Sequence, residues 1–319
     1  MNANAISSHV AVLLQQSIAL LQPALESEEP RRCVDVTGGR GGHSAALLEV
    51  LGSADMLLIL DRDPSAISAL RKRFAHETRV QIHQASFSQI TEVLNRLGWD
   101  KVDAILADLG VSSPQLDEAE RGFSFLRDGP LDMRMDPTTG ISAADWLAGA
   151  TETEIARVLR DYGEERFARA IARKIVKQRE TARLISTTQL ATLIAEAVPR
   201  HDPGLNPATR SFQGIRIFIN HELEELESFL PQAMAALRAR GRLAVISFHS
   251  LEDRIVKRFF RADAYRVSSD LPLRASEIPP LPWHTIGKAI RADFQEIQNN
   301  PRSRSAVLRV AERSDRHAA

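Results

Sequence analysis

Val34-Asp35-Val36-Thr37-Gly38-Gly39-Arg40-Gly41-Gly42-His43, answered further on by Leu57-Leu58-Ile59-Leu60-Asp61-Arg62-Asp63, is the stretch that decides the fold. It reads as a strand from Cys33, a glycine loop, a helix from Ser44 to Leu51 with apolar residues on one side, and a second strand ending on an acid. Four glycines in positions 38–42 let the backbone turn sharply and lie against a ligand with no Cβ atoms in the way. Asp61 falls about twenty residues past Gly41, where a doubly wound α/β fold places the carboxylate that accepts from a ribose hydroxyl. Loop and acid together imply an adenosine-containing cofactor. The full dinucleotide pattern is absent, because His43 and Ser44 stand where the third small residue of the helix packs. That disfavours a nicotinamide cofactor. S-adenosylmethionine has no pyrophosphate, asks less of the helix N-terminus, and suits the shortened pattern better; a tight turn that binds nothing is the plain alternative.

Outward from this unit the strand and helix signals alternate. Val10, Leu13, Leu14, Ile18 and Leu21 have helical spacing up to Pro23, which predicts an amphipathic helix on the sheet edge. A helix follows from Pro64 to Phe74, then strands at Val80–Gln84 and Val102–Asp108 with a helix over Val93, Leu94 and Leu97 between them. This rhythm is that of a parallel sheet with right-handed crossovers. It breaks at Leu109. A long polar segment with Gly122, Gly129, Pro130, Pro137 and Gly140 has neither period, and a loop of that length is usually functional. Helical patterns then take over, with capping-box spacings at Ser142/Asp145, Thr151/Glu154 and Ser186/Gln189. Residues 116–208 read as a helical domain inserted into an α/β domain made of 1–115 and 209–319. The loop from His201 to Pro207 closes the insertion. One long helix bearing Phe212, Ile215, Ile219, Leu223, Leu226 and Leu230 then leads past Gly241 to a strand over Leu243–Phe248 and a helix capped by Ser250 and Asp253. Segments near Ile286 and Ser305–Val310 read as two final paired strands.

Composition narrows the classes. Of 319 residues 44% are hydrophobic, enough for a substantial core. Lysine plus arginine balance aspartate plus glutamate at 41 each, so no global field draws the chain to a polyanion, and nucleic-acid contact has to come from a local patch. The concentrated one is Arg166, Arg169, Arg173, Lys174, Lys177, Arg179 and Arg183, which serves phosphate binding or a solvated helix face equally well. The single cysteine, Cys33, fits a reducing compartment and a packing role and leaves no thiolate set for zinc. No export signal and no apolar run near the roughly twenty residues of a membrane span is visible, so a cytoplasmic location is expected. Asp128, Asp132 and Asp136 recur every fourth residue, but Pro130 spoils a shared helix face and no glycine-centred calcium loop surrounds them; no metal is expected.

The reaction centre is expected at Asp108-Leu109-Gly110-Val111-Ser112-Ser113-Pro114-Gln115, at the carboxyl end of the fourth strand, the edge of an open parallel sheet where ligands sit. An acid, hydroxyls, a carbonyl before proline and an amide are mostly acceptors, which suits holding an amino group while its proton is lost. His249 after the fifth strand reads as a structural histidine.

Asp108-Leu-Gly-Val-Ser-Ser-Pro-Gln-Leu-Asp117, Arg121-Gly-Phe-Ser-Phe125 and Gly129-Pro-Leu-Asp-Met-Arg-Met135 closely resemble the bacterial 16S ribosomal RNA cytosine-N4 methyltransferase family. The likeness covers nearly the whole length, through His9–Leu14, Gly39–Ser44, Asp61–Pro64, Tyr162–Phe167, Ser247–Arg254 and Asn300–Ala306 in order. It implies a class I S-adenosylmethionine-dependent methyltransferase domain, Rossmann-like with a mainly parallel sheet, carrying an inserted helical domain for RNA recognition. It assigns cofactor contacts to Gly41, Gly42, His43, Asp61, Phe87, Asp108 and Gln115. Relatives usually have glycine and then a bulky residue at the positions of Val36 and Gly38, so packing over the cofactor is expected to differ here. The expected activity is methyl transfer to the exocyclic N4 amine of a cytidine in 16S ribosomal RNA in the small subunit, with Ser113 as the candidate acceptor that polarises the amine. No membrane or DNA partner is expected, since a DNA amino-methyltransferase would want an aromatic residue where Gln115 follows Pro114. The rival readings are a nicotinamide-dependent oxidoreductase and a non-catalytic RNA-binding or assembly protein.

Overall fold

The computed structural model describes residues 11–26, 29–199, 204, 206–261 and 282–315. His9, Val10 and most of the 201–207 loop therefore lie outside the described residues. The helices are α1 (Leu14–Leu21), α2 (Gly42–Val50), α3 (Pro64–Arg73), α4 (Ile90–Arg96), α5 (Ser113–Asp117), α6 (Ala143–Gly149), α7 (Glu152–Asp161), α8 (Ala168–Arg179), α9 (Thr187–Ala197), α10 (Thr209–Asn220), α11 (Glu222–Ala236), α12 (Ser250–Phe260) and α13 (Phe294–Asn299). The strands are β1 (Arg32–Asp35), β2 (Met56–Asp61), β3 (Val80–Gln84), β4 (Val102–Asp108), β5 (Leu237–Ser247), β6 (Trp283–Arg291) and β7 (Val307–Arg313).

The seven strands form one sheet in the order β3-β2-β1-β4-β5-β7-β6. Strands β1 to β5 are parallel, and β7 is antiparallel to both β5 and β6, so the two tail strands pair. This is the class I methyltransferase arrangement. A parallel sheet covered on both faces needs strands that are apolar throughout, because alternate side chains enter opposite layers. In β2, Leu58 and Leu60 pack with α4, α11 and α12, while Leu57 and Ile59 pack with α1, α2 and α3. The order reverses between β1 and β4. Their carboxyl ends flank the crevice where open α/β sheets bind ligands.

The chain divides into two compact units, Met1–Gly110 with Leu223–Ala319, and Val111–Glu222. The expected boundaries after 115 and before 209 thus move to 110/111 and 222/223. Helix α10 accounts for most of the change. It packs on α7 within the second unit, where Gly214 lies against the backbone of Gly163 so closely that a Cβ on Gly214 would stand 2.8 Å from the Gly163 nitrogen. The second unit has its own apolar core, with Leu147, Val158, Ile171, Ile175, Leu190 and Ile215 fully or almost fully buried. The Ser142, Thr151 and Ser186 side chains cap α6, α7 and α9 as their spacing predicts.

Three expectations are corrected. The single helix from Phe212 to Leu230 is two helices, α10 and α11, separated at His221, whose φ of 52° is left-handed. Buried Asn220 holds the break: its Oδ1 accepts from Met135 N, and its Nδ2 donates to the carbonyls of Met133 and Arg216. An apolar period that runs through a break cannot reveal it. Strand β5 begins at Leu237 and not at Leu243, passing a register shift opposite Val102 and Ala104 and a left-handed Arg240 with φ 64°. Helix α12 is capped one residue earlier than expected, by His249 and Glu252, whose Oε2 accepts from Phe248 N at 2.7 Å. Asp253 instead pairs with Arg309 at 2.7 Å.

Candidate functional site

The glycine loop after β1 is built by its backbone. Gly41 caps α2 with φ 78° and donates to the Gly38 carbonyl at 2.7 Å, and left-handed Gly39 (φ 53°) donates to Asp61 Oδ2 at 2.7 Å. A residue with a Cβ is strained at either position. Asp61, at the carboxyl end of β2, also accepts from Asp63 N through Oδ1 at 2.8 Å. Each carboxylate oxygen keeps a second lone pair, so the side chain that fixes the loop can still accept from hydroxyls. Burial pushes its carboxyl up to about 6, against the pull of the two backbone N–H groups. Gly42 opens α2 beneath Ala11, whose Cβ would lie 3.0 Å from a Cβ placed on it.

His43 is the second residue of α2 and is 5% exposed. Its Nε2 lies 3.1 Å from the Val12 carbonyl and its Nδ1 3.5 Å from Asp108 Oδ2 at the end of β4. The other oxygen of Asp108, Oδ1, is buried with no hydrogen-bond partner. Burial pushes the Asp108 carboxyl up to about 6, and His43 opposes the shift. A buried acceptor left unmade is costly, so its occurrence at a strand tip marks a place for a ligand N–H or O–H. The spare acceptors on Asp61, the free Oδ1 of Asp108 and the glycine loop fit the adenosine, amino-acid and sulfonium parts of S-adenosylmethionine as a set. Phe87 follows β3, half-buried, with its ring edge-on to Phe229 at 5.3 Å.

Gly41, Gly42, His43, Asp61 and Asp108 are thus brought together at the strand ends of the first unit, with Phe87 at the tip of the neighbouring β3. Ser113 and Gln115 belong to the second unit. There Ser112 caps α5, and Gln115, 4% exposed, accepts from Ser112 N at 2.9 Å, which gives the amide a local structural duty. Ser113 is the first residue of α5 and is half-buried.

Sequence reading passed over Asp35 and Thr37. Asp35 is 1% exposed and accepts from Ser44 Oγ at 2.6 Å and Thr37 N at 3.1 Å, while Thr37 Oγ1 accepts from Asp108 N at 2.6 Å. Burial raises the Asp35 carboxyl, offset first by His43. Its signal was present, an acid at a strand tip directly before the glycine loop. Gly38 also finds its reason: a Cβ there would lie 2.4 Å from Ile59 Cγ2 and 2.8 Å from Leu70 Cδ1, so those side chains take the space a bulky residue would need.

In the second unit the cations of the basic stretch divide. Arg179 donates to the Leu147 and Ala150 carbonyls, Arg183 pairs with Asp145, and Lys174 with Glu196 at 2.7 Å. Arg166, Arg169, Arg173 and Lys177 are exposed, opposite the face of α8 that buries Ala168, Ile171, Ala172 and Ile175. Arg173 is only loosely paired, 3.8 Å from Glu152. Asp128 accepts from Thr188, Asp132 pairs with Arg134 at 2.6 Å, and Asp136 accepts from Thr138. Each has a local partner.

Residues 6–314 match the family model described as the MraW methylase family. Over 313 residues the chain is 73% identical to a protein of Acidithiobacillus ferrooxidans described as ribosomal RNA small subunit methyltransferase H, covering 98% of each chain. Proteins of the same description from Nitrosococcus oceani and Thiobacillus denitrificans are each 54% identical, over 98% and 96% of this chain and 99% and 97% of their own. With nearly every residue matched, from the N-terminal helix through both units to β7, the chain belongs to the MraW methylase family.

Proposed function

We propose that this chain transfers a methyl group from S-adenosylmethionine to the exocyclic N4 amine of a cytidine in 16S ribosomal RNA. The observation that carries the reading is the buried, partnerless Oδ1 of Asp108 beside a glycine loop anchored on Asp61, in a chain of the MraW methylase family. Bound S-adenosylmethionine supplies an already activated methyl, so the protein's work is orientation, which can be worth several kcal/mol. Gly41, Gly42, His43, Asp61, Phe87, Asp108 and Gln115 are the cofactor residues in this reading. The cytosine has to be unstacked to reach them, and its amine, whose lone pair is delocalised into the ring, needs an acceptor to draw on its N–H. Ser113 at the start of α5 is that acceptor.

Other methylation chemistries lack their groups. Carbon methylation at C5 of a pyrimidine uses a cysteine nucleophile, and Cys33 is wholly buried in β1 with burial pushing its thiol up. Ribose methylation calls for a base such as lysine near the acceptor loop, and no lysine lies between Lys101 and Lys174.

The second unit is the RNA-recognition domain in this reading, with Arg166, Arg169, Arg173 and Lys177 of the α8 region on phosphates. The substrate is small-subunit RNA and the location cytoplasmic; among the described residues no helix is long and apolar enough to cross a membrane. Digestion of methylated ribosomal RNA and mass identification of the modified nucleoside tests the proposal: N4-methylcytidine is expected, and 5-methylcytidine or a 2′-O-methylated nucleoside as sole product overturns it. Ser113→Ala is expected to slow turnover more than it weakens cofactor binding.

A further inference from the structure

The motif Asn300-Pro-Arg-Ser-Arg-Ser-Ala306 lies outside the cofactor residues, between α13 and β7. Its backbone is held by buried polar groups. Buried Asn300 accepts from Arg302 N through Oδ1 at 3.2 Å, and fully buried Ser303 donates from Oγ to the Asn300 carbonyl at 2.7 Å. The acids of α13 face backbone donors as well: Asp293 caps the helix by accepting from Glu296 N at 2.8 Å, and Glu296 Oε1 accepts from Leu13 N at 2.6 Å. The connection from β6 to β7 is therefore a fixed platform.

What this platform shows to solvent is an aromatic ring between cations. Phe294 is 75% exposed, whereas every other phenylalanine, tyrosine and tryptophan among the described residues is buried or half-buried. Arg291 and Arg304 are exposed too. Arg291 pairs in register with Val307, and Phe294 and Arg304 each stand three residues along the chain from that pair, so their backbones lie at most about 11 Å from it. Asp108, Ile246, Leu308 and Ile290 form one row across β4, β5, β7 and β6. The platform thus begins at the strand ends that carry the cofactor site, three strand spacings or about 14 Å across the sheet from Asp108. A few nucleotides of a single strand cover that distance. A single exposed apolar side chain is ordinary. One held on a fixed backbone between arginines, at the ligand end of the sheet, has the parts of a stacking site.

We infer that Phe294, Arg291 and Arg304 form an RNA-contact surface on the methyltransferase unit itself, in addition to the basic face of α8: the Phe294 ring stacks on an unpaired base near the target, and the two guanidinium groups take the phosphates beside it. The inference rests on the proposed function for the target being RNA. Ring and charge together select a single strand, whose bases offer π-faces and whose backbone offers phosphates. A duplex keeps its bases inside the stack. A second copy of this chain, seated on the same face by two-fold symmetry, would bring the same arginines against one another. The contact also serves the chemistry. The target cytosine has to leave its stack, and a neighbouring base held on Phe294 keeps the strand open while it does so.

Binding of a single-stranded cytidine oligoribonucleotide to the full chain, followed by fluorescence anisotropy across a salt series, tests the inference. Phe294→Ala is expected to weaken binding on the order of tenfold with the salt slope unchanged, and Phe294→Trp to restore it to within about twofold, because stacking needs a ring and not a charge. Arg291→Ala combined with Arg304→Ala is expected to flatten the log–log salt slope by about 1.4, the share of two phosphate contacts on a single strand. Binding of an RNA duplex is expected to be indifferent to Phe294→Ala. Single-strand affinity untouched by Phe294→Ala, an equal loss on the duplex, or no binding of the oligoribonucleotide by the parent protein overturns the contact. So does a urea midpoint lowered by Phe294→Ala, which would show the ring packed by the chain itself, or a parent dimer that this substitution dissociates in sedimentation, which would seat a second copy there. If the losses appear as expected while digestion of methylated ribosomal RNA yields a nucleoside other than N4-methylcytidine, the proposed target fails and the RNA contact stands. N4-methylcytidine formed by Phe294→Ala at the parent's KM for RNA keeps the proposed function and defeats the contact.

Discussion

The two units place their most concentrated charge differently. The first buries it: Asp35, Asp55, Asp63 and Asp103 are all at most 5% exposed, and each lies at or beside a strand end. The second buries Glu165 and Glu222 but also shows a row of cations, Arg166, Arg169, Arg173 and Lys177, outside a core rich in leucine, isoleucine and alanine. The geometry of the elements explains the contrast. At strand ends and in a glycine loop the backbone has N–H groups that no ladder uses, and a carboxylate can enter because those donors receive it, as Gly39 and Asp63 receive Asp61. A helix satisfies its own backbone, so its outer face is free to carry a row of cations at a spacing of about four residues. Buried acceptors suit a small, precisely held ligand, and an exposed basic row suits a long polyanion.

The largest effect that would sharpen this comparison is expected at Gly163. A Cβ there would lie 2.4 Å from the Arg210 carbonyl oxygen and 2.7 Å from that of Leu159, so α7 and α10 must part. Gly163→Ala is expected to cost the second unit about 3 kcal/mol. Urea unfolding followed through Trp146 reads it, with S-adenosylhomocysteine affinity unchanged; a matching loss of affinity would break the separation. Next comes Asp61→Ala. Loss of a charge-assisted hydrogen bond should cost about 1.5–3 kcal/mol, roughly ten- to a hundredfold in cofactor affinity by calorimetry. RNA affinity should hold. Unchanged cofactor affinity in a folded variant removes Asp61 from the site.

Replacing Arg169, Arg173 and Lys177 together by alanine is expected to weaken RNA binding about tenfold and to flatten the salt dependence by roughly two in log–log slope. Cofactor affinity should stay as it is. If neither RNA quantity moves, these residues are a solvated face. The smallest effect is in pH. Asp61 and Asp108 have folded pKa values near 6, above the unfolded value, so the folded state holds these protons more tightly. Their contribution to stability is present below about pH 4 and lost as pH rises through about 6. Solvent near the strand tips keeps it on the order of 1 kcal/mol. The urea midpoint read from Trp99 and Trp283 in the first unit should therefore fall between pH 4.5 and 7 relative to that read from Trp146. Parallel curves would show that buried acid is no special burden there.

Much of the site was legible because its parts are local in sequence. The glycine loop, Asp61 at the tip of β2 and Asp108 at the tip of β4 are each announced by a strand pattern that ends on them, and strands of a parallel sheet end on the same side. Asp35 was legible in principle but looked like part of the strand. His43 was placed by resemblance, yet its two partners could not be read, since Val12 and Asp108 are remote in the chain. The basic stretch was visible as a stretch only. Which cations are committed depended on where Leu147, Asp145 and Glu196 fall after the helices pack.

What the sequence by itself determined is the alternation of strand and helix from Arg32 to Asp108, because period, glycine and capping chemistry act over a few residues. The break at His221, the early start of β5 and the passage of α10 into the second unit were decided by tertiary structure. Each depends on a contact between distant segments: Asn220 on the Met133 and Met135 backbone, Leu237 against Val102, Gly214 on Gly163. An apolar residue shows in sequence that it will be buried, but which neighbour buries it is settled only when the chain closes on itself.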